Sequence, residues 1–181
     1  MKFLIIGFCI ILSILAFAGD INTKKSFIKW HATKVGGEHW GHIKFKDGNI
    51  QTNDKGEPIK ASFTVDMSTI DVRDLEGEWK EKLENHLRTG DFFEISKYPT
   101  ATMETSNIKK IGDNKYRVKG NFKIKNKIQP ITFDMTYNGK LASGSLSFDR
   151  TKFGIMYRST LLGTLGDKVI HDKVDLEFKV Q

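Results

Sequence analysis

Ala61-Ser-Phe-Thr-Val-Asp-Met67 alternates apolar and polar side chains without a break: Ala61, Phe63, Val65 and Met67 share one face, while Ser62, Thr64 and Asp66 take the other. A period of two marks a strand with one side against an apolar interior and the other in water. The alternation returns in Ile131, Phe133, Met135 and Tyr137, and again in Val174, Leu176, Phe178 and Val180 against Asp175, Glu177 and Lys179. Less regular segments of the same kind cover 27–33, 39–45, 49–52, 101–107, 116–124 and 141–148. Strands of this type suit an antiparallel sheet. Asp47-Gly48, Gly112-Asp113-Asn114, Lys125-Asn126-Lys127 and Asn138-Gly139 supply the turn chemistry between them. The expected order is a meander of roughly eight or nine strands, and closure into a barrel removes the adhesive sheet edges.

One segment breaks the pattern. Leu75, Trp79, Leu83 and Leu87 recur every four residues among Glu and Lys, which predicts one amphipathic helix, with Asp74 as its cap and Gly90 just past its end. The fold class expected is mainly β: an antiparallel barrel with a helix covering one mouth. Glu76, Glu78, Glu81 and Glu84 are read as a solvated face beside Lys80 and Lys82.

The chain has 181 residues, a formal net charge of +7, three prolines and a single cysteine. That length suits one domain, and one cysteine builds neither a disulfide framework nor a cysteine-based metal cluster. Cys9 lies in the apolar run 3–17, which follows Lys2 and ends in Ala16-Phe17-Ala18 ahead of the polar stretch 20–25. This is the layout of a cleaved export signal, and the run is short for a bilayer that needs about 20 apolar residues. The expectation is a signal peptide over 1–18, a mature domain over 19–181, and a periplasmic location. Cutting 18 of the 181 residues leaves a thiol-free chain, as suits that compartment.

His31, His39 and His42 fall within twelve residues. On a strand, however, His39 and His42 point to opposite faces, and Glu38 is the only acidic neighbour, so no metal site is expected. Neither a Gly-x-Ser-x-Gly elbow nor a phosphate-cradling glycine loop occurs, so no catalytic residue and no cofactor is assigned. The lysines are spread along the chain and do not gather into a nucleic-acid footprint, although a diffuse positive charge favours contact with an anionic membrane surface. The interior remains. Phe63, Met67, Phe122, Phe133, Met135, Tyr137, Phe148 and Phe178 all fall on inward faces by alternation. A small barrel either packs such residues together or leaves room for one ligand, and methionine with aromatics makes an adaptable apolar lining.

Several segments together resemble the YceI-like family: Ser26-x-Ile28-x-Trp30, Gly36-Gly37-x-His39-x-Gly41, His86-Leu87 with Asp91-Phe92-Phe93, Tyr98-Pro99-x-Ala101, Val118-x-Gly120 running to Pro130-Ile131, and Arg150-x-x-Phe153-Gly154 with a closing strand after Lys173-Val174. No single motif is specific, but their order and spacing are, and they span the whole mature chain. Asn126 stands where the family's hairpin usually carries Gly, and Asn tolerates the left-handed conformation second best. The resemblance implies a lipocalin-like barrel, not an enzyme, that holds a long isoprenoid or similar lipid. Trp30 and Val65 would then join the inward residues named above as its lining, and Arg150, Lys152 and Arg158 are the basic candidates for its head group. A homodimer is a further partner considered. The competing readings are a His-based enzyme at the barrel mouth, using His39, His42 or His171, and a ligand-free, stress-linked interaction protein with a packed interior.

Overall fold

Nine strands and one helix follow one another along residues 17–181, the part of the chain that the computed structural model describes. They are β1 (Phe17–Asp20), β2 (Phe27–Lys34), β3 (Gly37–Thr52), β4 (Pro58–Val72), α1 (Gly77–Arg88), β5 (Thr100–Gly112), β6 (Lys115–Ile124), β7 (Lys127–Tyr137), β8 (Ala142–Asp149) and β9 (Ile170–Val180). All pairings are antiparallel. The sheet order β1-β3-β2-β9-β8-β7-β6-β5-β4 closes through β3 and β4. β1 pairs only with the end of β3, so the remaining eight strands make the barrel. The expected leader lies outside the described residues except for Phe17 and Ala18, which form the first half of β1.

The expected inward face of β4 is the observed one: Ala61, Val65 and Met67 are buried and Phe63 is half-buried. Beyond Met67 the phase slips, because the pairing with β3 jumps from Lys44↔Asp66 to His42↔Asp71, and the inward residues become Ile70 and Val72. A bulge of this kind bends a long strand around the barrel wall.

Asp47-Gly48 is not a turn. Segments 39–45 and 49–52 are one strand, β3, and Asp47 and Gly48 pair with Thr64 and Phe63 across a bulge after Phe45. Glycine is needed there for closeness: a Cβ on Gly48 would lie 2.5 Å from Cδ1 of Phe63 and 3.0 Å from Cδ1 of Ile21. In the β6–β7 turn the left-handed residue is Lys125 (φ 54°), not Asn126. Its largely covered side chain reaches Glu94, with Nζ 3.8 Å from Oε2.

α1 follows β4 at one end of the barrel, and three of its expected details are corrected. Glu76, not Asp74, is the N-cap, because both Asp74 carboxylate oxygens are engaged elsewhere, by the backbone N–H of Trp40 and by the His39 ring. Glu84 is not on a solvated face: Oε1 accepts the Val72 N–H at 2.9 Å and so ties the helix to the end of β4. Trp79 leaves the apolar stripe and is 70% exposed, whereas Leu87 is buried and Leu75 and Leu83 pack against the core. Residues four apart drift about 40° around a helix per step, so Trp79, Leu83 and Leu87 do not share one narrow face, and Leu75 precedes the helix.

Candidate functional site

The barrel interior holds two apolar chambers in line. The first, at the end away from α1, is lined by residues that include Phe45, Ala61, Phe63, Met103, Phe133, Met135 and Phe178. The second, beneath α1, is lined by residues that include Trp30, Ile43, Met67, Leu87, Phe92 and Phe148. Ile28, Val65, Ala101, Phe122 and Leu176 border both, and form a waist where the chambers meet. Empty space reaches about 720 Å³ in the first and 840 Å³ in the second, counted out to their open approaches. Only a small part of this is wide enough for a water molecule. The interior is therefore narrow, and part of this empty space lies at the open approaches.

The register explains why these side chains converge. Inward residues alternate along each strand and each of the eight barrel strands is paired on both sides, so Ile28 faces Ile43 on one neighbour and Phe178 on the other, and Trp30 faces Gly41 and Leu176. Gly41 makes room for the indole: a Cβ there would lie 2.8 Å from Cζ2 of Trp30 and 1.8 Å from the Asp71 carbonyl oxygen. From Ala61, at the far chamber, to Met67, at the helix-end chamber, the strand rises about 20 Å, or about 15 Å along the axis of a barrel whose strands tilt by about 40°.

Of the lining residues expected from sequence, Phe63, Phe133, Met135 and Phe178 face the far chamber, Trp30, Met67 and Phe148 face the helix-end chamber, and Val65 and Phe122 face both. Tyr137 is buried in the core but borders neither. Burial, and then the nearby Tyr116, push its phenol pKa up. Ile28, Ala101 and Leu176 at the waist are not among the lining residues expected from sequence, although alternation in β2 and β9 carries the signal for Ile28 and Leu176.

The three basic candidates are not equivalent. Arg150 is 3% exposed and is built into the wall. Its Nε donates to the His171 carbonyl, one Nη to the Ile155 carbonyl, and the other to the Ile170 carbonyl and to Asp172. Burial draws its pKa below the usual guanidinium value, with Asp172 and Asp149 opposing. Asp172 also accepts from Ser159, which is wholly buried, so Arg150, Asp172 and Ser159 clamp the connection between β8 and β9 onto the barrel. Lys152 and Arg158 are exposed on that connection, with the Arg158 guanidinium 5.3 Å from the Tyr157 ring centre.

Three separate segments close the helix end. The His86 ring stands edge-on to Phe92 at 5.0 Å and to Tyr157 at 4.8 Å, and its Nε2 lies 2.9 Å from Asp91. The His86-Leu87 and Asp91-Phe92-Phe93 motifs thus act in packing. His31 contacts Glu38, His39 contacts Asp74, and His171 contacts the Thr33 hydroxyl. No histidine borders either chamber. Among the described residues no three His, Cys, Asp or Glu side chains converge as a metal shell.

The sequence profile of the YceI-like domain matches residues 20–181. A UPF0312 protein of Pseudomonas putida is 25% identical over 169 residues, covering 90% of this chain and 83% of that protein. A UPF0312 protein of Pseudomonas aeruginosa is 29% identical over 124 residues, covering 65% of this chain and 61% of that protein. Among solved structures, Burkholderia cenocepacia BcnA superposes with a TM-score of 0.68 at 24% identity, covering 88% of this chain and 98% of that one. The Campylobacter jejuni YceI protein superposes at 0.57 and 21% identity, covering 76% and 81%. With the profile spanning nearly the whole described barrel, the chain belongs to the YceI-like family.

Proposed function

We propose that the protein is an exported, periplasmic carrier or store for a single long-chain lipid, of the isoprenoid kind or similar, and that it is not an enzyme. The observation that carries this reading is the pair of slender apolar chambers joined at a common waist. Each buried methylene contributes about 0.8 kcal/mol, so a chain threaded through both chambers is held by length and fit, without charged anchors. The layout of residues 1–18 supports export. A titration of delipidated protein with polyprenols of rising length tests the reading. Affinity should climb with length until both chambers are filled, and absence of binding at every length contradicts it.

The connection between β8 and β9 supports loading from a membrane. It carries Leu161, Leu162 and Leu165 at 66, 65 and 82% exposure, with Arg158 and Lys168 exposed beside them, while Arg150 and Ile155 of the same connection line the helix-end chamber. Exposed leucines among basic residues suit transient contact with an anionic lipid surface. That contact would bring the covered end of the barrel to the place where its cargo resides.

A further inference from the structure

The indole Nε1 of Trp30 is buried and has no hydrogen-bond partner in the protein, and it is the only such buried side-chain atom among the described residues. Trp30 itself is 8% exposed and lines the helix-end chamber and, beside it, a smaller pocket bordered by Thr33, Lys34 and His39. A buried N–H left unpaired is costly, and native structures almost always pair one with protein or with an ordered water. A water is poorly suited here, because a buried water needs two to four polar partners. The only other polar side chain bordering this chamber is Arg150, and its nitrogens already donate to three backbone carbonyls and Asp172. The chamber thus offers a donor and no side-chain acceptor, the complement of an oxygen that accepts.

We infer that the cargo carries an uncharged, carbonyl-type oxygen, seated against the indole N–H of Trp30 in the helix-end chamber, with the hydrocarbon tail running through the waist into the far chamber. This rests on the carrier reading and sharpens it, from a hydrocarbon chain to a chain bearing an acceptor. The acceptor is uncharged because the one cation at the chamber, Arg150, is already paired with Asp172 at 3.1 Å, and a carboxylate would be desolvated without a partner. Gly41 serves the same site, since only a glycine there leaves space for the Trp30 ring.

Heptadecane and 2-heptadecanone are a matched pair of probes, equal in carbon count and differing by one acceptor oxygen. With delipidated full-length protein, the ketone should bind about five- to tenfold more tightly than the alkane, the range of one net hydrogen bond. In Trp30→Phe the preference should disappear, the ketone binding no more tightly than the alkane, because its carbonyl is then desolvated without a donor. A measurement that needs no variant to fold is the indole region of an ¹H–¹⁵N spectrum. The protein has three tryptophans, and the Trp30 indole proton should move downfield with the ketone and stay nearly still with the alkane. Equal binding of both probes with an unmoved indole signal overturns the acceptor site and leaves the carrier reading standing. Failure of both probes to bind overturns both.

Discussion

Val65→Trp tests whether one chain occupies both chambers. Val65 is 8% exposed and borders each of them, opposite Phe122 and Leu176 at the waist. The substitution adds roughly seven heavy atoms where the two chambers meet, and overpacking there costs about 1 to 3 kcal/mol. For a domain of this size, each kcal/mol lowers Tm by about 2 to 4 °C. The expected loss of Tm is therefore about 2 to 12 °C, which leaves a folded protein for binding work at 25 °C. Each methylene added to a ligand should tighten binding to the wild type by up to about fourfold, following the 0.8 kcal/mol per buried methylene. In the variant the gain should stop once one chamber is filled. A ligand with five methylenes beyond that point forfeits about 4 kcal/mol, close to a thousandfold in Kd. Fluorescence or calorimetric titration with straight-chain ligands of graded length gives the two curves. If they rise in parallel over the whole series, the chain does not pass the waist and the assignment of Val65 to it is wrong.

Arg150→Ala should destabilise the protein by about 3 to 5 kcal/mol, because Asp172 would be left partly buried without its cation; a urea midpoint close to wild type would show that the clamp contributes little. Stability should fall in two stages on acidification. Burial, and then the nearby Arg73, hold the His42 pKa below its usual value against the pull of Asp71, so its contribution is complete above about pH 6.5 and is lost as pH falls through the lowered value. The carboxylates come later: burial opposes ionisation of Asp71, but its bond from Lys80 and the charges of Arg73 and Lys80 prevail, while bonds from Lys173 and Ser147 lower Asp175. Their contributions are present above about pH 3.9 and are lost below it. Urea midpoints at several pH values should show that His42→Gln removes the first stage and spares the second; a variant that keeps both stages refutes the assignment. Replacing Leu161, Leu162 and Leu165 together by Ser should at least halve sedimentation with phosphatidylglycerol vesicles and leave Tm within a degree or two, and unchanged sedimentation would remove the membrane contact.

What the sequence disclosed follows from how local each signal is. The inward faces of β4, β7 and β9 are written in a period of two, and Ala61, Val65, Phe133 and Leu176 lie inside as that period requires. Misreadings arose where a local preference met a distant partner. Asp47-Gly48 has ideal hairpin chemistry, yet pairing with Thr64 and Phe63 on β4 keeps it in a strand. Asp74 has the chemistry of a helix cap, but it is taken up by His39 and Trp40, more than thirty residues away. The clamp of Arg150, Asp172 and Ser159 joins residues that no spacing rule connects, so Arg150, a head-group candidate by its charge, is instead part of the wall. The partition into two chambers was equally hidden, since it depends on which inward residues stand level around the barrel.

The most direct test of the central claim is native mass spectrometry of full-length protein purified from bacterial cells, recorded before and after extraction with organic solvent. The account predicts one additional mass per chain, released by solvent and identified in the extract as a long-chain lipid with a carbonyl-type oxygen. A bare polypeptide mass in both samples, with no uptake when polyprenol or long-chain ketone is added back, would contradict it.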